Sequence, residues 1–255
     1  MENIFDTHAH YDDEKFDEDR EQTLLRVHQS GVSLIINCGC DERSSEKCIK
    51  MSKKYDFLFA AVGIHPHEAQ DASENWEENI IKLSQDKKVV AIGEIGLDYH
   101  YDFSPRGLQK EVFEKQIVLA KELDKPIIVH DREAHADTLE LLKKYRPKGV
   151  VHCFSGSAEM AREIVDLGMY IGLGGAVTFK NAKKPVEVAE YLPLDRLLLE
   201  TDCPYMAPVP FRGKRNDSSL IPYTAMKIAE IKNLDAQQII DIANENGKRL
   251  FFGNQ

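Results

Sequence analysis

The chain has 255 residues, of which 42% are hydrophobic and 30% are charged, a composition typical of a globular protein and not of a disordered or fibrous one. The 33 Lys and Arg against 43 Asp and Glu give a net charge of −10, which argues against a protein that coats long duplex DNA through bulk charge. No apolar run approaches the ~20 residues of a membrane helix, and the N-terminus lacks the pattern of a secretory signal. With five cysteines and no C-x-x-C pair, the chain is predicted to be cytoplasmic with free thiols.

Short apolar runs alternate with longer amphipathic stretches along the whole chain. The predicted strands are Ile4–Thr7, Val32–Asn37, Leu58–Gly63, Val89–Gly93, Ile127–Val129, Val150–Val151, Met169–Gly172 and Arg196–Glu200. The clearest predicted helices are Asp19–Gln29, Ala158–Leu167 and Ala236–Phe252, together with one between Pro105 and Leu123. Ser104 is the predicted N-cap of this last helix, and Pro105 is its first residue.

Strands that alternate with helices pair in parallel, and eight such units in about 250 residues predict a TIM-type (β/α)8 barrel. No linker divides the chain, so residues 1–255 are predicted to form a single domain. The alternative is a doubly wound open sheet, but its G-x-G-x-x-G fingerprint is absent.

Residues that can ligate a metal stand at or just after the ends of the predicted strands. The set is His8, His10, Glu94, His130, His152 and Asp202. Active sites of such barrels form at the C-terminal ends of the strands, and imidazole and carboxylate groups are good ligands for Zn²⁺, Mn²⁺ and related ions.

Six ligands exceed the need of one four-coordinate ion, so we predict two divalent cations bridged by the carboxylate of Glu94. Two such ions close together can activate a water and stabilise the oxygens of a displacement. Asp202 is the candidate to accept the proton of that water. The ligand types leave Zn²⁺, Mn²⁺, Mg²⁺ and Ni²⁺ as alternatives.

Other residues of the same types receive different interpretations. His28 and His135 are predicted to be structural, His100 to lie on the surface, and one of His65 and His67 to face the site without touching metal. Cations that follow the strands suit an anionic substrate: Arg132, Lys180, Lys183, Lys184, Arg212, Lys214 and Arg215. The irregular segment Tyr205–Pro222 is predicted to be a functional loop.

Several motifs together resemble the TatD family of metal-dependent hydrolases, within the wider amidohydrolase-like barrels. The most specific are Gly93-Glu94-Ile95-Gly96-Leu97-Asp98-Tyr99 and His152-Cys153-Phe154-Ser155-Gly156. Further matching blocks are Asp6-Thr7-His8-Ala9-His10, Val129-His130-Asp131-Arg132, Glu200-Thr201-Asp202-Cys203-Pro204-Tyr205 and Arg212-Gly213-Lys214-Arg215-Asn216. The matches run nearly from end to end of the chain.

The resemblance implies a dinuclear site and deoxyribonuclease activity, including 3′-to-5′ exonucleolytic trimming of single-stranded DNA. One ion would be held by His8, His10, Glu94 and Asp202, and the other by Glu94, His130 and His152. The family pattern further implies that His65, Arg132 and Tyr205 hold the phosphate. Where the family commonly has proline after the acidic residue that follows Asn216, this chain has Ser218, which is expected to loosen the loop.

Three classes of function stay open at this point. The first is a phosphodiesterase with DNA as substrate, no membrane association and no obligate protein partner. The second is a hydrolase of the same chemistry that acts on a D-aminoacyl-tRNA ester or on a small phosphoester or amide. The third is a metal-dependent scaffold without catalysis, against which the full ligand set argues.

Overall fold

The computed structural model describes residues 1–253, so Asn254 and Gln255 of the predicted domain lie outside the described residues. The eight strands are β1 Ile4–Ala9, β2 Val32–Cys38, β3 Leu58–Val62, β4 Val89–Asp98, β5 Ile127–Arg132, β6 Gly149–Val151, β7 Tyr170–Leu173 and β8 Leu197–Leu199. The α-helices are α1 Arg20–Gln29, α2 Glu42–Ser52, α3 Trp76–Ser84, α4 Arg106–Glu122, α5 His135–Tyr145, α6 Ala158–Asp166, α7 Lys183–Tyr191, α8 Ile221–Lys232 and α9 Ala236–Phe252.

The strands form one parallel sheet in the order β1 to β8, and its two edges meet. Ala9 forms a parallel bridge with Cys203, and the amide of His10 donates to the Cys203 carbonyl at 2.8 Å. The amide of Asp202 likewise donates to the His8 carbonyl at 2.9 Å. The predicted (β/α)8 barrel is therefore confirmed, with the β1–β8 seam closed at its C-terminal end.

The barrel interior is filled with side chains. One buried cluster draws a residue from every strand, which only inward-facing side chains can do: Phe5, Ile36, Ala61, Val90, Ile128, Val150, Tyr170 and Leu198 are members. Phe251 of α9 belongs to the same cluster, and its ring centroid lies 6.1 Å from that of Phe5 in a tilted arrangement. A larger cluster fills the layer between strands and helices.

Helix boundaries follow the local capping chemistry. Helix α9 has the predicted bounds, because the Asp235 side chain accepts from the Gln237 amide and forms a capping box with Gln238. The prediction at α4 was wrong by one residue. Pro105 occupies the N-cap, and the Ser104 hydroxyl instead donates to the carbonyl of His67 at 2.9 Å.

Three strands extend two residues or more further toward the site than predicted. β1 continues to Ala9, β4 to Asp98 and β5 to Arg132. His8, Glu94 and His130 are therefore strand residues and not loop residues, which fixes their backbone directions. Within the described part of the chain, no helix is long and apolar enough to cross a membrane.

Candidate metal centre

Closure of the barrel brings four candidate ligands together at the β1–β8 seam. His8 Nε2 and His10 Nε2 lie 3.0 Å apart, and Glu94 Oε2 lies 3.3 and 3.4 Å from them. Asp202 Oδ1 lies 3.8 Å from His8 Nε2 and 3.5 Å from His10 Nε2. Ligand atoms of a tetrahedral ion with bonds of roughly 2.0–2.1 Å are about 3.4 Å apart, so this first cluster fits one cation.

A second cluster forms around the other oxygen of the same carboxylate. Glu94 Oε1 lies 2.8 Å from His130 Nδ1 and 2.7 Å from His152 Nε2, and those two nitrogens are 3.5 Å apart. Glu94 therefore presents one oxygen to each cluster, as a bridging carboxylate does. The structure brings together all six residues that the sequence singles out as ligands.

Two glycines of β4 allow this strand to lie close to β5. A β-carbon on Gly93 would lie 2.7 Å from Cβ of Ile128, and one on Gly96 would lie 1.9 Å from the His130 carbonyl oxygen. The backbones of β4 and β5 can therefore come close beside Glu94 and His130 only with glycine at these positions.

Two ligand rings are oriented by acceptors outside the clusters. His10 donates from Nδ1 to the Cys38 carbonyl at 3.0 Å, and His130 contacts Asp98 Oδ2 from Nε2 at 3.0 Å. Because each acceptor binds the N–H group of one ring nitrogen, the other nitrogen faces the cluster with its lone pair available to a cation. The donor set and its orientation fit divalent metal ions.

Burial and charge act in opposite directions on these groups. Burial alone would raise the pKa of Glu94, but the electrostatic interaction with the imidazoles of His152, His65 and His8 holds it well below its usual range. Burial lowers the pKa of His8 to about 4. Burial also disfavours protonated His130, yet its contacts with Asp98 and Glu94 raise its pKa to about 9, so a cation that binds there displaces a proton.

Asp98 was missed as a site residue by the sequence interpretation. Its Oδ2 contacts Nε2 of both His130 and His67, and its Oδ1 accepts from the amides of His100 and Tyr101. Glu94 and Asp98 share one face of β4 at i and i+4, a signal that was lost because the strand was predicted to end at Gly93.

Glu200 is a second buried carboxylate beside the ligands. Its Oε1 accepts from the Cys153 amide and lies 3.8 Å from His152 Nδ1. Among the described residues, neither Glu200 Oε2 nor His152 Nδ1 has a hydrogen-bond partner. Burial raises the pKa of Glu200 to about 8. The position of Glu200 beside His152 was not predicted from the sequence.

The three predicted phosphate-binding residues surround the clusters at different depths. His65 is buried, with Nε2 3.5 Å from Glu94 Oε1, so it borders the second cluster. Arg132 is exposed, two residues after His130 on β5, and its guanidinium lies over the Tyr101 ring at 4.6 Å. Tyr205 is also exposed and donates to Asp13 at 2.7 Å.

Some predicted rim cations are committed elsewhere. Arg215 forms two hydrogen bonds to the Asp19 carboxylate at 2.8 and 2.6 Å, so its positive charge is paired within the chain. Arg212 lies over the Phe179 ring at 4.3 Å. The structural interpretation of His28 holds, because its Nδ1 donates to the Val32 carbonyl at 2.8 Å.

Ser218 ties the loop after β8 to the strands instead of loosening it. The fully buried Ser218 hydroxyl donates to Asp6 Oδ2 at 2.7 Å and lies 2.7 Å from the Tyr11 hydroxyl. Its amide, which a proline would lack, donates to the same Tyr11 oxygen at 3.0 Å. The expected loosening was wrong because serine supplies both a donor amide and a hydroxyl here.

Comparison with known proteins places this fold and donor set in a family. The sequence profile described as "TatD related DNase" matches residues 5–252. The chain is 49% identical over 251 residues to the metal-dependent hydrolase YabD of Bacillus subtilis, which covers 97% of this chain and 98% of the relative. It is 36% identical over 248 residues to the 3′-5′ ssDNA/RNA exonuclease TatD of Rahnella, covering 93% and 94%.

A solved structure matches over nearly the whole length as well. The crystal structure of YjjV, a TatD homologue from Escherichia coli K12, superposes with a TM-score of 0.92 at 34% identity and covers 98% of each chain. Family profile, relatives and barrel agree from end to end. The chain therefore belongs to the TatD family and is a metal-dependent hydrolase.

Proposed function

We propose that this protein is a phosphodiesterase that uses two divalent cations and shortens single-stranded DNA from its 3′ end. The observation that carries the proposal is the position of Glu94, whose two oxygens face two separate donor clusters. The names of three relatives support the substrate, since TatD proteins of Rahnella, Pectobacterium and Cronobacter are called 3′-5′ ssDNA/RNA exonucleases.

The residues divide between the two cations as follows. His8, His10, Glu94 and Asp202 would hold one, and Glu94, His130 and His152 the other, as the distances from the two Glu94 oxygens and from Asp202 to these imidazoles suggest. When bound, such a pair supplies Lewis acidity for the phosphate oxygens and lowers the pKa of a nearby water. Mixed imidazole and carboxylate donors suit Zn²⁺, Mn²⁺ or Ni²⁺, and the carboxylate-rich position also suits Mg²⁺.

Asp202 is the carboxylate placed to accept a proton from the attacking water. Its side chain is 20% exposed, whereas that of Glu94 is 4% exposed, so Asp202 faces the mouth of the barrel and Glu94 does not. Burial would raise the pKa of Asp202, but the hydrogen bond from His10 and the charges of His8 and His152 lower it. Asp202 is therefore ionised at neutral pH, and it combines accessibility with an available lone pair.

Arg132, His65 and Tyr205 would bind the substrate phosphates. Arg132 offers a planar pair of donors that matches a phosphate. Burial and the hydrogen bond to Asp13 raise the pKa of Tyr205 to about 12, so its hydroxyl keeps its proton and stays a donor. The net charge of −10 makes such local donors necessary for a polyanionic substrate.

The test uses single-stranded DNA labelled at either the 3′ or the 5′ end and protein stripped of metal by a chelator. Mg²⁺, Mn²⁺ and Zn²⁺ are added back separately. We expect metal-dependent shortening from the 3′ end, which shows as early loss of a 3′ label and a ladder from a 5′ label.

The variant Asp202→Asn should lose turnover while its circular dichroism spectrum stays unchanged. The matched control is Asp131→Asn, because Asp131 is a buried carboxylate near the rim whose partner is His135 and not a cluster residue. Retained activity of Asp202→Asn at equal metal content would exclude the assigned role. If no DNA is cut with any metal, the same centre acts on another ester, such as an aminoacyl-tRNA.

A cytoplasmic location is part of this proposal. All five cysteines are free, as in proteins of a reducing compartment.

A further inference from the structure

Two aromatic rings are exposed beside the metal centre without an evident packing role. Tyr101 is 48% exposed and Phe103 is 65% exposed, the highest value among the large hydrophobic side chains described. The rings lie 5.3 Å apart with an interplanar angle of 22°, which is an offset stack. Exposed aromatic pairs of this kind offer a flat apolar surface to a planar ligand.

The loop that carries both rings is held firmly. The amide of Tyr101 donates to Asp98 at 2.9 Å, and the Ser104 hydroxyl donates to the His67 carbonyl. Gln109 Nε2 donates to the carbonyls of Ser104 at 2.8 Å and Asp98 at 3.1 Å. Because both ends of the loop are anchored, Phe103 is kept in solvent by the backbone and does not fold back onto the core.

A single histidine separates this aromatic pair from a candidate ligand. The His67 ring centroid lies 4.9 Å from that of Phe103 and 6.1 Å from that of His130. His67 also contacts Asp98 Oδ2, the oxygen that orients His130. The aromatic surface is therefore one residue away from the second cluster.

A cation stands at the same surface. The guanidinium of Arg132 covers one side of Tyr101 at 4.6 Å from the ring centroid. The strands β4 and β5 that carry these residues lie across the barrel mouth from the β1–β8 seam, where Lys15 lies 4.1 Å from the Tyr205 ring centroid. A nucleic-acid strand that crosses the mouth would meet an aromatic–cation pair on each side of the clusters.

We propose that Tyr101 and Phe103 form a stacking site for one unpaired nucleobase of the substrate strand, adjacent to the phosphate that is cut. The inference rests on the proposed nuclease function and adds the origin of its preference for single strands. A base inside a duplex is covered on both faces by its neighbours, so only an unpaired base can place a face on Phe103. Stacking on aromatic side chains is tolerant of sequence because every base has a π-face.

The experiment measures steady-state cleavage of single-stranded oligonucleotides by wild type, Phe103→Ala, Phe103→Trp and a control, Val118→Ala. Val118 is an apolar side chain on α4 that is 37% exposed, so it matches the loss of surface apolar area. We expect KM to rise about 5- to 150-fold in Phe103→Ala with little change in kcat, and Phe103→Trp to retain the wild-type KM.

The decisive arm replaces single nucleotides of the oligonucleotide, one position at a time, by an abasic residue. At one position, removal of the base should weaken the affinity of the wild type but should not weaken that of Phe103→Ala, which already lacks the ring. This result is expected because the base and the ring act as a pair. Binding is measured in parallel by fluorescence anisotropy with the Asp202→Asn variant, with and without Phe103→Ala.

The outcomes separate this proposal from the proposed function. Cleavage with equal KM for wild type and Phe103→Ala, on the intact oligonucleotide and at every abasic position, overturns the stacking site and leaves the nuclease. Absence of cleavage together with binding that depends on Phe103 supports the stacking site and overturns the nuclease. Absence of both cleavage and binding overturns both.

Discussion

Asp98 provides the sharpest test of how the second cluster is assembled. Its Oδ1 accepts from the amides of His100 at 3.0 Å and Tyr101 at 2.9 Å, while its Oδ2 contacts His130 Nε2 at 3.0 Å and His67 Nε2 at 2.9 Å. In Asp98→Asn the two backbone donors keep the amide oxygen on their side. The new NH₂ group therefore points at the two imidazoles.

This reversal changes the proton position on His130. An NH₂ group can donate to His130 Nε2 only when the ring carries its proton on Nδ1, the nitrogen that faces Glu94 Oε1 at 2.8 Å. That tautomer has no lone pair for a cation in the second cluster. Loss of such an outer hydrogen bond typically weakens metal affinity about 10- to 100-fold, which corresponds to about 1.4–2.7 kcal/mol.

Metal titration of the stripped protein by calorimetry measures the effect directly. Wild type should bind two ions, and Asp98→Asn should bind one ion with unchanged affinity and a second about 10- to 100-fold more weakly. Asp131→Asn is the control. It alters a similar carboxylate–imidazole contact, in which Asp131 Oδ2 lies 2.8 Å from His135 Nδ1, and neither residue belongs to a cluster. Unchanged affinity for both ions in Asp98→Asn would refute the argument from ring orientation.

Two further predictions concern stability. The contact with Asp131 raises the pKa of His135 above its unfolded value of about 6.5. The contribution of this contact to the free energy of unfolding is therefore fully present below that pH, and it is lost as pH rises through the folded pKa. His135→Gln should therefore reduce the free energy of unfolding in urea more at pH 5.5 than at pH 9, and an equal reduction at both would contradict this. Ser218→Ala should cost about 1–3 kcal/mol, since it removes a hydroxyl that contacts buried Asp6 and Tyr11, and a loss in the urea series below about 0.5 kcal/mol would show that these groups find other partners.

The members of the two clusters, and Glu94 as the carboxylate shared between them, were predicted from the sequence, but the distances between their atoms were not. The His and carboxylate residues at the ends of five strands are visible in the chain, and they meet because parallel strands of a barrel deliver their ends to one rim. That Glu94 divides its oxygens between two clusters depends on distances of 2.7–3.4 Å that only the closed barrel defines. Pattern alone contains no such information.

The misses have local physical causes. Asp98 was overlooked because Gly93 and Gly96 suggest a strand end, whereas here they permit close contact between β4 and β5. The ion pair of Arg215 was not foreseen because a basic loop sequence does not show that Asp19, far away in the chain, pairs with it. Ser218 was expected to weaken the loop because a difference from a family pattern does not show the partners that replace the missing residue.

The first cluster forms only because the β1 and β8 edges of the barrel are joined. His8 and His10 belong to the β1 edge and Asp202 follows β8, so their donors meet only when the Ala9–Cys203 bridge has joined the two edges. Glu94 reaches the same point from β4, across the interior, and its other oxygen meets His130 and His152 from β5 and the residue after β6. The donors of one cluster thus come from the seam and those of the other from the opposite wall, with a single carboxylate between them. Because the members of each cluster come from distant parts of the chain and Glu94 alone is common to both clusters, the centre can exist only in the closed barrel.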